Sequence, residues 1–147
     1  MAGNNLSVRE LQQTDINSII DYWLNSDPSF IEAMGVDKAK ILSRIQWKEM
    51  LTEQIEQPYQ KKQSYCTIWL LNEKPIGHCN VNKIIFAEEA YMHLHIWKAE
   101  YRKSGTGTAL VKKSIPFFFK NLKMNDTAAS CELYVTLNDI LQTFKLP

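Results

Sequence analysis

The stretch Tyr101-Arg102-Lys103-Ser104-Gly105-Thr106-Gly107-Thr108-Ala109-Leu110 constrains the fold of this 147-residue chain more than any other. Strand-forming residues, Tyr91-Met92-His93-Leu94-His95-Ile96-Trp97, precede it, and Gly107 to Lys123 reads as a helix. A strand, a short glycine-containing loop and a helix start together form a cradle for an anion. The first amides of a helix lack internal partners, and the helix dipole favours negative charge there. Without Cβ atoms, Gly105 and Gly107 let a diphosphate approach the backbone closely. Arg102 and Lys103 add positive charge at the same place.

Two common nucleotide motifs are excluded. The Gly-x-x-x-x-Gly-Lys-Ser/Thr loop is absent, and Leu110 stands where a dinucleotide fingerprint needs its third glycine. What remains is Arg-x-x-Gly-x-Gly, Arg102 to Gly107. Taken alone it is also compatible with a simple glycine-rich turn. With its flanking strand and helix it resembles the pyrophosphate loop of the GNAT superfamily of N-acetyltransferases. The segments Asp21 to Pro28 and Glu88 to His95 also resemble an uncharacterised bacterial subgroup of that superfamily. The resemblance implies that acetyl-CoA binds along Arg102, Lys103, Ser104, Gly105, Thr106, Gly107 and Thr108. Its diphosphate would be held by backbone amides.

Composition bounds the class. Apolar residues make up 45% and charged residues 22%, so one domain spanning residues 1–147 with a real core is expected. A net charge of +1 supplies no basic field for nucleic acid. No apolar run approaches the roughly 20 residues of a membrane span, and the N-terminus lacks the features of a signal peptide. Three widely spaced cysteines, Cys66, Cys79 and Cys131, do not form a disulfide or zinc framework. The expectation is a cytoplasmic protein with no nucleic-acid or membrane partner.

Along the chain, Leu6 to Leu11 reads as a strand, with Thr14 as a helix N-cap. Ile16, Ile19, Ile20, Trp23 and Leu24 follow at helical spacing. Phe30 to Met34 adds a short turn of helix closed by Gly35. Ser43 and Gln46 form a capping box for a helix carrying Ile45, Met50, Leu51 and Ile55. Strands are expected over Ser64 to Leu71, Ile76 to Phe86 and Tyr91 to Trp97, with a turn at Asn72 to Pro75. A helix kinked at Pro116, a strand at Cys131 to Thr136 and a helix at Asn138 to Phe144 complete the pattern. This order makes the class α+β, a central mixed but mostly antiparallel sheet flanked by helices, and it matches the GNAT order. The family pattern adds a seventh strand, whereas the sequence ends at Pro147. The expectation is therefore a sheet without that strand or with a diverged C-terminus. A bare edge invites pairing, and a homodimer is compatible with it.

Transfer of an acetyl group to an amine needs a held thioester, a deprotonated amine and a stabilised leaving thiolate. The resemblance assigns backbone contacts with pantetheine to Ile96 and Trp97, although Trp97 is equally explained as a core aromatic. Strand alternation puts Tyr91, His93, His95 and Trp97 on one face and Met92, Leu94 and Ile96 on the other. The apolar set should face the core, leaving His93 and His95 to line a cleft. There neutral imidazole can accept an ammonium proton. Either histidine could equally be a hydrogen-bonded sheet residue. Tyr91 stands where several GNAT enzymes have a carboxylate base, and Glu88 and Glu89 could act through water. Phe144 lies where many members place a tyrosine acid. Tyr134 is the substitute, with core packing as its alternative. Asn138 corresponds to an asparagine near pantetheine and also reads as an N-cap. Lys112-Lys113 and the stripe Glu49, Glu53, Glu56 read first as solvated helix faces. A zinc site at His93 and His95 has no third ligand at telling spacing, so no metal is expected.

The reading is an acetyl-CoA-dependent N-acetyltransferase acting by direct transfer on a small-molecule or peptide amine. A non-catalytic acyl-CoA-binding module and an interaction protein on the same fold are the rivals.

Overall fold

The computed structural model describes residues 4–102, 105–123 and 132–135. In chain order these form β1 (Leu6–Glu10), α1 (Ile16–Asn25), α2 (Pro28–Ala33), α3 (Arg44–Glu56), β2 (Tyr65–Leu71), β3 (Lys74–Ile85), β4 (Glu89–Ile96), α4 (Thr106–Asn121) and β5 (Glu132–Val135), with short 3-10 turns between some of them. One sheet takes all five strands in sequence order. β1 to β4 pair antiparallel, and β5 joins β4 in parallel, from Glu89↔Glu132 to Met92↔Val135. This is the mixed, mostly antiparallel sheet of an α+β fold.

Local chemistry explains most boundaries. Asn72 and Glu73 both have positive φ, 50° and 66°, so the β2–β3 hairpin closes in two residues. The turn is tighter than the four residues expected, and β3 starts at Lys74. Ser43 accepts from Gln46 N at 3.2 Å, and the Gln46 side chain accepts from Ser43 N at 2.9 Å, the reciprocal box read from the sequence. Gly35, at φ 80°, follows the C-cap of α2. α4 runs through Pro116 as one element.

The sheet separates two cores. On one face Met92, Leu94 and Ile96 pack with Trp69, Val81, Leu110 and Phe118 under α4. There Trp69 Nε1 donates to Ser114 Oγ at 2.8 Å, and Ser114 donates to Leu110 O, tying the helix to β2. On the other face Ile16, Ile19 and Ile20 of α1 and Leu51 of α3 cover Cys66 and Ile68. Each face draws alternate residues from the same strands.

Three expectations change. Thr14 is not a cap, because Gln12 and Asp15 form the box that starts this segment. Asp15 is buried and held by Arg9 through two hydrogen bonds of 2.6 and 2.9 Å. Ile45, expected in the apolar stripe of α3, is 71% exposed. On α1 the buried set includes Tyr22, while Leu24 lies at the surface. The expected helix at Asn138 to Phe144 lies outside the described residues.

Candidate active site

β3 and β4 build the floor of the site. Their register pairs His78 with His95, Asn80 with His93 and Asn82 with Tyr91. All six lie on the face opposite the α4 core, so alternation lays a polar ladder beneath α1 and α3. The ladder and the helices enclose a cavity of about 500 Å³. His78, Asn80, Asn82, His93 and His95 line it from the sheet. Ile19 and Trp23 of α1, Trp47, Met50, Leu51 and Gln54 of α3, and the Met34-Gly35-Val36 segment line it from above.

The floor is closely bonded. Tyr22 Oη and His95 Nδ1 are 2.9 Å apart, and Tyr22 Oη also reaches Met34 Sδ at 3.4 Å. The His78 and His95 rings stack with centroids 4.7 Å apart. His93 Nε2 lies 3.2 Å from Asn82 Oδ1. Trp97 Nε1 donates to His78 Nδ1 at 2.8 Å. An indole N–H can only donate, so His78 Nδ1 is the acceptor and the neutral ring carries its proton on Nε2. Burial pushes the His78 imidazole down to about 3, and the neighbouring His93 charge acts in the same direction.

That shift has a pH consequence. In the unfolded chain His78 returns to an ordinary pKa of about 6.5. The unfolded state therefore binds more protons than the folded state between the two values. Stability is complete above the unfolded value and falls as pH drops toward the folded one, by up to about 1.4 kcal/mol per pH unit. Urea unfolding should show His78→Phe losing stability less steeply than the parent as pH falls from about 6.5 to about 4. The unpaired Trp97 donor lowers the whole curve without tilting it. Equal slopes would refute a neutral buried His78.

At the other end of β4, Gly105 is the N-cap of α4 in the left-handed conformation, with φ 85°. Among the described residues, its chain neighbours aside, no atom lies within 4 Å of a Cβ built on Gly105. The cap has no side chain to turn back on the first helical amides, and Gly107 is buried in the first turn. Thr106 Oγ1 donates to Tyr101 O, and Thr108 is exposed. These features fit a loop that holds a diphosphate by its backbone.

Arg102 departs from its expected place beside a solvent-open loop. Its Nε donates to Ile96 O at 2.9 Å and its Nη2 to Trp97 O at 3.0 Å, while the guanidinium lies 3.8 Å from the centre of the Phe30 ring. Burial lowers the pKa of the group from its ordinary value. Arg102 thus fastens the end of β4 to the loop and to α2. Trp97 N–H donates to Ile76 O, and the carbonyls of Ile96 and Trp97, already accepting from Arg102, can each accept a second hydrogen bond.

Lys103, Ser104 and Asn138 lie outside the described residues, and Tyr134 is described only as a backbone position in β5 opposite Tyr91. Among the described residues no group of three His, Cys, Asp or Glu could hold a metal ion. Nor is any described helix long and apolar enough to cross a membrane. Glu49, Glu53 and Glu56 do not line the cavity. His78 and Tyr22 were missed by the sequence reading. The alternation His78-x-Asn80-x-Asn82, polar on one face within an apolar strand, was the available signal for the first.

The family model described as acetyltransferase (GNAT) domain matches residues 5–133. The chain belongs to the GNAT acetyltransferases. Solved structures share the fold of this GNAT chain at low identity. Mutant forms of a spermidine/spermine N-acetyltransferase from Vibrio cholerae match at 17% identity and TM-score 0.59, over 80% of this chain and 64% of theirs. A dodecameric spermidine N-acetyltransferase from the same organism matches at 16% and 0.58, with the same coverage of 80% and 64%. A predicted acetyltransferase with acetyl-CoA from Clostridium acetobutylicum matches at 11% and 0.59, over 90% of this chain and 80% of that one. The GNAT chain spans 64% of the length of these spermidine enzymes. No curated protein sequence matches it.

Proposed function

We propose that this GNAT chain is an N-acetyltransferase that moves the acetyl group of acetyl-CoA to an amine held in the cavity over β3 and β4. The α4 N-terminus carries the reading: its cap is the left-handed Gly105, which has no side chain to occupy the first helical amides, and such an end attracts an anion. When bound, acetyl-CoA supplies an activated thioester. Gly105, Thr106, Gly107 and Thr108 would hold its diphosphate, with Lys103 and Ser104 from the same loop. The end of β4 would carry its arm.

On the other side of β4, His93 and His95 receive the amine. Transfer forms one N–C bond as the C–S bond breaks. The proton of the acceptor ammonium passes to an imidazole, and the leaving thiolate takes a proton from Tyr134 or from water. No covalent adduct with the chain is needed. The cytoplasmic location, the single-domain organisation and association with further copies read from the sequence belong to this proposal.

Calorimetry with coenzyme A tests the loop. Gly105→Val puts a β-branched side chain at a φ of 85°, which L residues rarely adopt, so it distorts the loop as well as crowding the ligand. Affinity should fall at least about tenfold, about 1.4 kcal/mol, while circular dichroism stays unchanged. Equal affinity would remove the loop from binding. Gly107→Val, at a residue buried in the first turn, would likewise mix packing with binding.

A further inference from the structure

Resting on the transfer reading above, we infer that the acceptor is a monoamine on a flat aromatic or apolar body that also offers one hydrogen-bond acceptor. A polyamine does not suit this cavity. Three independent observations support this. First, none of the sixteen described residues lining the cavity is Asp, Glu, Lys or Arg. A polyamine brings several ammonium groups, and a buried ammonium without a carboxylate keeps its full desolvation penalty. The acidic stripe of α3 lies elsewhere, and Asp21 and Asp27 line a separate cavity beside Trp97 and Arg102.

Second, the roof is built for a flat group. The Trp23 and Trp47 rings stack 5.7 Å apart with planes inclined by 12°. Trp23 meets His95 edge-on with centroids 5.0 Å apart. Met34 and Met50 complete an adaptable apolar wall. One amine would be met by the floor, where Asn80, Asn82 and His93 offer nitrogen and oxygen acceptors on a single face.

Third, Trp47 Nε1 is buried and has no hydrogen-bond partner among the described residues. A buried indole donor is ordinarily satisfied. Trp47 lines the cavity, and a shift of its indole would present this donor to a carbonyl or carboxylate of the acceptor. The volume of about 500 Å³ suits a molecule of this size.

Calorimetry on the wild-type protein with coenzyme A present would compare tryptamine, tryptophanamide and spermidine, and thiol release from acetyl-CoA would be followed with each. Both indole amines should bind at least about tenfold more tightly than spermidine, with tryptophanamide the tighter of the two. Trp47→Phe keeps a stacked ring and removes the donor, so it should abolish the advantage of tryptophanamide over tryptamine. Trp23→Ala should weaken both. Should that variant fail to fold, Trp47→Phe still decides the role of the donor.

Tighter binding of spermidine, or no binding of either indole amine, overturns the inference. The two readings fail separately. Thiol release with spermidine alone sinks the acceptor class and leaves the transfer reading standing. Indole binding without thiol release supports the acceptor class and counts against transfer.

Discussion

The double variant His93→Ala/His95→Ala should transfer acetyl groups about 10²-fold more slowly than the parent. The rise of rate with pH that a deprotonating base gives should flatten with it. The two imidazoles differ in setting. His95 is 7% exposed and its Nδ1 lies against Tyr22 Oη. His93 is half-buried, with Nε2 near Asn82 Oδ1, an arrangement that leaves Nδ1 as its accepting atom when the imidazole is neutral. Single variants therefore separate the roles. His93→Ala should carry the larger loss if the accepting atom is on that ring, and Tyr22→Phe should alter the rate only if His95 is the base. Coenzyme A affinity should survive in all three, since the loop lies beyond the end of β4. Undiminished turnover in the double variant, on a confirmed acceptor, would pass the role to Glu88 or Glu89 through water, or to solvent.

Gly77→Ala should destabilise the protein by about 3 kcal/mol, read as a lower urea midpoint. Gly77 faces Trp69 on one side and Ile96 on the other. A Cβ there would lie 2.3 Å from the carbonyl oxygen of His95 and 3.1 Å from Ile96 Cα. Both are backbone atoms of the neighbouring strand, so no side chain can swing aside. Relief requires β3 and β4 to separate where Trp97 N–H donates to Ile76 O and where His78 meets His95. Loss of activity should accompany loss of stability. A variant as stable as the parent would show that the strands part cheaply there.

Legibility in the sequence followed the range of the interaction. The Ser43–Gln46 box, Gly35 and the alternation of β4 depend on neighbours within a few residues, and they were readable. So was the loop, because its glycines stand between a strand pattern and a helix pattern. The His78–His95 stack depends on the register of a hairpin, and a single strand does not declare its register. Arg102 looked like a phosphate ligand by proximity, yet its side chain turns back to the carbonyls of Ile96 and Trp97. Ile45 counted as core by type, although the apolar residues of α3 do not gather on one stripe. Tyr22 was hidden by its chemistry. Its ring suits the interior, and only a partner on a distant strand explains the buried hydroxyl.

The division of the sheet into two cores bears on how such a protein can change its substrate. Along β4, one set of alternate residues packs under α4, and the other set, His93 and His95, lines the cavity. Substitutions at the second set, or on the inner sides of α1 and α3, can redraw acceptor choice without disturbing the groups that hold the donor. On the proposed reading, donor recognition and acceptor choice are separately heritable traits of a single strand, and a library confined to one face should explore new acceptors while keeping the same coenzyme.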